Sequence, residues 1–425
     1  MKTTFYPFLL FCLFLPQILQ ADTCTWLGGN WGWDDPTKWS CGQVPGPNDD
    51  VLIPVNGTIT RNAPVTVKSL SITAGGAALI VTGDLTVSEL ITWEAGQIRG
   101  SGNTIANGGV LFQGSLTKTL KDRSLTLNAK STWTDGMIIL PQNLALTVSA
   151  GVTFEIMGND ILRPEVGNSG TLVNHGDILK SAGTKSTFEV VNFTNNGVVT
   201  VNAGTLEFRG CDSDGDFSIS SPGILQLYQN ILDLNAGASI SGTGLFLMGT
   251  AGPTCNVHSA ADISTPIEIN AGTININQDI TLPALTTGTS SAITFTGSGR
   301  LVVSGTMTWN GGKFENMPTG ARFEGNIQLG GSMKTVEECR VELAGNSNWT
   351  AGQIRLKNNG KLQNLATFTD ALSIGQNIQQ NPVNAPGAEF INDGSYIKST
   401  ISTTQINVPF DNNSPIQVNE GVLQV

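Results

Sequence analysis

Short runs of alternating apolar and polar residues, each following a Gly, Asn or Ser turn, recur along most of this chain. GTLVNHGDILK (170–180), GVVTVNAGTLEF (197–208), GTININQDITL (272–282) and GSGRLVVSGTMTW (297–309) are examples. A period of two places every second side chain on one face of a strand, and the small polar residues between runs mark tight turns. No stretch carries sustained apolar spacing at three and four residues, so helix is expected to be scarce. Turn signals return at roughly 20-residue intervals, within the range of solenoid repeats.

A longer period overlies the short one. Trp93 and Trp133 recur as Trp309 and Trp349 at a constant offset of 216 residues. LTVSELITWEAGQI (85–98) aligns with LVVSGTMTWNGGKF (301–314), and SLTKTLKDRSLTLNAKSTWTDGMI (115–138) with GSMKTVEECRVELAGNSNWTAGQI (331–354). Further on the offset becomes 217, pairing TVNAGTL (200–206) with QVNEGVL (417–423). A unit that copies itself this way extends a stacked core. The predicted fold is all-β, a parallel, right-handed β-helix or β-solenoid built from a duplicated long module. Stacked strands about 4.8 Å apart would give on the order of 18 coils.

Four segments follow: a signal peptide at 1–21, a Trp/Cys-rich N-terminal cap at 22–54, module 1 at 55–266 and module 2 at 267–425. Lys2, the apolar run Phe8 to Leu15 and the small Ala21 have the order of a secretory signal, and no later stretch is long and apolar enough to span a membrane. The Ala-Asp-Thr before Cys24 does not match a lipoprotein cleavage site. Val425 aligns with Phe208, so module 2 reads as incomplete, its end covered by further sequence or by a partner.

Composition narrows the function. Charged residues are 13% of the chain and the net charge is −11, which argues against nucleic acid as a partner. Lys118, Lys121 and Arg123 form the densest basic cluster, whose counterparts are Lys334, Glu337 and Cys339; with one charge repeated, it reads as a solvated face. Export permits disulfides, and Cys24 and Cys41 bracket the tryptophan-rich segment, so a bridge between them is expected. Cys211, Cys255 and Cys339 leave an odd thiol, and the sequence does not fix the distance between Cys211 and Cys255.

The segment TCTWLGGNWGWDDPTKWSCGQVPGPNDDVLIP (23–54) resembles the opening of large secreted, repeat-rich surface proteins of the Bacteroidetes type. Trp26, Trp39, Ser40, Gly42, Val44, Pro45, Asp49, Asp50, Val51 and Ile53 fill that pattern. The modules, with Ser-Gly-Thr-x-Thr-Trp at 304–309 and Gly-Thr-Leu at 204–206, resemble bacterial β-strand-repeat, haemagglutinin-like proteins. The resemblance implies a secreted, surface-associated scaffold with an adhesive or matrix role and no enzymatic activity. A carbohydrate-active β-helix, binding or cleaving glycans, is the alternative, because such repeats serve adhesins and enzymes alike.

Candidate chemistry is sparse. Asp212, Asp214 and Asp216 alternate in Cys-Asp-Ser-Asp-Gly-Asp and are candidate Ca²⁺ ligands, but Phe217 and Gly223 stand where an EF-hand needs Gly and an acid; an exposed turn is the default reading. No other cofactor is expected. Asn174-His175-Gly176-Asp177 has the counterpart Asn392-Asp393-Gly394-Ser395, and Asp160, Arg163 and Glu165 form a mixed-charge group that reads as a loop. With His175 and His258 the only histidines, neither a Ser-His-Asp triad nor a three-His metal site can be built. Trp31 and Trp33, alternating in a Gly-rich loop, are candidates for stacking on sugar rings. Trp93, Trp133, Trp309 and Trp349 each precede a Gly by three residues and read as turn-packing core.

Overall fold

The computed structural model describes residues 22–425 apart from 168, 191 and 385; the expected signal peptide lies outside the described residues. The chain winds into a parallel β-solenoid of about 18 coils. Each coil contributes one short strand to each of three faces. Ser69–Ile72, Ala77–Val81 and Leu85–Val87 make one such turn, and Ile91–Trp93, Gly96–Arg99 and Asn103–Ala106 stack on them in parallel register. Alternation sends Leu70, Ile72, Leu79, Val81, Leu85 and Val87 inward from three directions, so the apolar interior is continuous from coil to coil.

The N-terminal segment is more than a plug. Thr23–Thr25 pairs with Asp50–Ile53 at the start of the first face, and Trp31–Gly32 pairs with Gly57–Arg61 at the start of the second. The cap therefore supplies the opening strands of the solenoid itself. Cys24 and Cys41 are bridged, with Cα atoms 5.0 Å apart. Trp39 sits edge-on between Trp26 and Trp33, at 5.0 and 4.8 Å between ring centroids.

The tryptophans of the duplication are core. Trp93, Phe112 and Trp133 occupy one inward row of the first face, in successive coils. The indole N–H of Trp133 donates to Gly136 O at 2.8 Å and that of Trp349 to Gly352 O at 2.7 Å. Gly136 and Gly352 have φ of 76° and 74°, in the left-handed region, and a Cβ there would run into the backbone of the coil beneath. Trp93 donates instead to Ala95 O at 2.8 Å, so what all four Trp–Gly pairs share is the left-handed glycine, Gly96 and Gly312 having φ of 77° and 88°.

The two modules are out of step with the coils. Trp93 lies on the first face, in a sheet of 12 strands that ends at Asp262–Ile263. Trp309 lies on the second, where Met307–Trp309 continues the stack through Leu285–Thr287, Ile267–Ile269 and Phe246–Met248. Module 2 thus begins one face further round. A three-faced coil presents the same strand-and-corner geometry on each side, so the same sequence packs equally well after that advance. Near the junction the first face has a seam: Asp262–Ile263 pairs backwards with Ser239–Ile240, Ile280–Leu282 pairs forwards with Leu301–Val303, and no ladder joins the two among the described residues.

Cys211, Cys255 and Cys339 are free and buried. Leu232 lies between Cys211 and Cys255 in the stack, placing them two coils apart, too far to bridge.

Candidate functional site

The outward side of the third face carries a long ordered array of polar side chains along module 1. Its middle row reads Thr66, Thr86, Ile105, Thr126, Thr147, Val173, Thr194, Asp212, Asp233, Asn256 and Asn275, each directly above the last. At the adjoining corner a second row runs Asn107, Asn128, Ser149, His175, Asn196, Asp214, Asn235, His258 and Asn277, held in register by backbone hydrogen bonds between successive coils. Both histidines of the chain therefore stand in one line, four coils and roughly 19 Å apart at the usual strand spacing.

Side chains bond along and across these rows. Asn128 donates to Asn107 at 3.0 Å, and Ser149 to Asn128 at 2.7 Å. One amide, Asn235 Nδ2, donates to both Asp212 at 2.7 Å and Asp214 at 2.9 Å. Asp233 accepts from Asn256 at 2.7 Å and lies 3.2 Å from His258 Nε2. Beside these acids, Asn192, Phe193, Thr194, Gly210, Asp212, Asn230, Ile231 and Asp233 line an open recess of about 710 Å³. Ile231, half exposed, gives the recess an apolar side.

The Ca²⁺ candidates do not converge. Asp212 lies on the third face and Asp214 at the corner, while Asp216 opens the next first-face strand, Asp216–Ile219, and accepts from Ser239 at 2.7 Å. Among the described residues no group of three or more His, Cys, Asp or Glu is arranged to hold a metal ion. Asn174 points inward: it donates to Asn195 at 2.8 Å, and Asn195 to Ser213 at 3.1 Å, a buried amide ladder that returns in module 2 as Asn364, Asn392 and Asn412. Asp160 accepts from the Gly136 N–H at 2.7 Å and Glu165 from Lys121 at 2.9 Å, so these two acids of the mixed-charge group are engaged with separate partners.

Comparison with family models, curated proteins and solved structures returns no match to this chain. The site must be read from its own residues.

Two expectations from the sequence need correction. Trp33 is 1% exposed, locked against Trp39, and is not available to a sugar; Trp31 is 51% exposed, with the Lys38 ammonium 4.1 Å from its ring centroid. The Lys118 and Arg123 side chains are buried rather than solvated. Arg123 fills a corner between coils, donating to Thr104 Oγ1 and to the carbonyls of Val81, Gly83, Arg99 and Asn103. Burial lowers its pKa to about 10. Lys118 donates to the carbonyls of Gly114, Leu116 and Asp135, and Lys334 to those of Gly330, Ser332 and Ala351, the same cage in each module. The available signal was that Lys334 is the one basic residue of the cluster that the duplication keeps. The Asp233–Asn256–His258 group was missed because its members are spread over 26 residues and meet only through coil stacking.

Proposed function

We propose that this protein is a secreted, surface-associated repeat scaffold with an adhesive or extracellular-matrix role, and that it does not turn over its ligand. The observation that carries this reading is the pair of outward polar rows on the third face, repeated coil after coil over most of module 1. Such a surface offers many equivalent, individually weak hydrogen-bonding positions along a rigid rod, which suits extended contact. Two module 2 counterparts support it: Ala344 and Leu365 stand where module 1 has Asn128 and Ser149, so the coil itself does not require polar residues there, although the row turns polar again at Asp393 and Asn413. Asp212 and Asp214 sharing one amide, and the separation of His175 from His258, fit binding better than acid–base work, which needs two groups facing one bond.

Cell-adhesion and glycan-array screens of the mature protein test the proposal. Binding that weakens in Asp212→Ala, Asp233→Ala and Asn256→Ala is the expected result. Release of sugars from pectin, alginate or similar polymers, abolished by Asp214→Ala or His175→Ala, would establish the carbohydrate-cleaving alternative, to which the recess beside Asp212 and Asp233 lends its support.

A further inference from the structure

We propose that Asp370 and Lys398 condense to form an internal amide, an isopeptide cross-link that staples two successive coils of module 2. Asp370 and Lys398 are directly paired in the parallel ladder between Thr367–Asp370 and Ser395–Asn407, both pointing inward and both fully buried. Their Nζ and Oδ1 atoms are 3.4 Å apart. That is longer than a charge-assisted hydrogen bond, typically about 2.7–2.9 Å. The closer partners of Nζ are the hydroxyls of Thr400 at 2.8 Å and Ser402 at 2.9 Å, which also lie within hydrogen-bonding distance of Leu372 O. The carboxyl is held from its other side: Tyr396 O–H donates to Oδ2 at 2.8 Å, and Leu372 N–H reaches Oδ1 at 3.4 Å.

The first module shows what is added here. Lys180 occupies the place of Lys398, but it stacks on Ile156 where module 2 has Asp370, and Ile178 stands where module 2 has Tyr396. Its amine turns to the carbonyls of Gly158 and Ala182. The inward lysine therefore belongs to the repeat, whereas the acid and the phenol belong to this coil alone. Two isoleucines have been replaced by the two groups that an acyl transfer to the lysine would use.

The step balances without a co-reactant. A proton passes from Lys398 Nζ to Asp370 Oδ1 within the pair, and Nζ then adds its freed lone pair to Cγ, forming the C–N bond. The carbonyl electron pair moves onto Oδ2, where Tyr396 O–H donates to the developing charge, and Oδ1, on the side of Lys398 and Leu372 N–H, is the oxygen that leaves. Collapse expels the hydroxyl, which leaves as water with a proton from the nitrogen, and a secondary amide remains. Fixed adjacency in the stack replaces the entropy cost of bringing the groups together, and the product removes a buried acid–amine pair that is costly to keep out of water. Burial and the neighbouring Asp370 push the Tyr396 pKa up, so its hydroxyl stays protonated as a donor.

Mass spectrometry of the full chain, purified folded and then reduced and denatured, tests the link directly. The expected result is a mass one water lower than the sequence after any signal cleavage, and a branched proteolytic peptide joining the segments around 370 and 398. Asp370→Ala and Lys398→Met should each restore the full mass, and Tyr396→Phe should slow the loss of water during refolding. Wild-type protein at its full mass, with Asp370 and Lys398 recovered in separate linear peptides, would overturn the proposal without reliance on any variant.

Discussion

Lys118 and Lys334 close the same three-carbonyl cage, 216 residues apart in sequence and on corresponding corners of the two modules. Three carbonyl acceptors match the three donors of an ammonium group, while burial opposes the charge. The balance brings Lys334 down to about 7 and Lys118 to about 8.

The first prediction is a pH dependence of stability. An unfolded lysine titrates near 10.4, so between pH about 7 and about 10 the unfolded chain binds a proton that the folded chain does not, and stability rises with pH across that window. Below it both states are protonated and this contribution is flat. Urea midpoints from pH 6 to 10 should rise in wild type and rise less in Lys334→Met. At constant pH above the window, that variant should still lose about 1–3 kcal/mol, because the carbonyls of Gly330 and Ser332 lose their side-chain donor.

A second prediction separates the tryptophans. Trp133→Ala and Trp349→Ala each empty a fully buried site and should cost about 3–5 kcal/mol. Trp31→Ala should change the unfolding free energy by less than about 0.5 kcal/mol. If Trp31 contacts a glycan, the substitution will show in binding and not in melting.

The Cys24–Cys41 bridge closes a loop with a sequence separation of 17. In the chain-entropy model a loop of this size is worth about 3 kcal/mol. Cys24→Ala/Cys41→Ala should therefore loosen the cap, raising exchange at Thr23–Thr25 and Trp31–Gly32, with little effect beyond the first coils because each coil contacts only its neighbours. Peptide-resolved hydrogen exchange measures both.

The seam on the first face gives a fourth prediction. Backbone amides of Asp262–Ile263 and Ile280–Leu282 should exchange before those of Ser239–Gly242 or Leu301–Val303, since no strand ladder bridges Asp262–Ile263 to Ile280–Leu282 among the described residues. Uniform protection through this region would show the two modules to be one cooperative unit.

The strands, the turns and the buried role of the paired tryptophans were all legible in the sequence, because period-two alternation and the Trp-to-Gly spacing are local consequences of a coil corner. Lys118 and Arg123 were misread because a charged residue beside a strand usually faces water; burial becomes possible only where carbonyls of the neighbouring coils converge, and that convergence is not local. Trp33 was misread for the opposite reason, since a glycine-rich loop offers little to bury against until Trp26 and Trp39 fold onto it. The grouping of Asp212, Asp233, Asn256 and His258 depends on the number of residues in each coil, which alternation alone does not fix.

The advance of module 2 by one face has a consequence for valency. A surface feature present in both copies is displayed twice, but on different sides of the rod, as Trp93 and Trp309 are displayed inward from different faces. A flat partner lying along one side meets a single copy of that feature, so duplication does not raise avidity towards it. Two partners approaching from different sides would each meet one copy, so the proposed scaffold would bridge two surfaces rather than hold one of them more strongly.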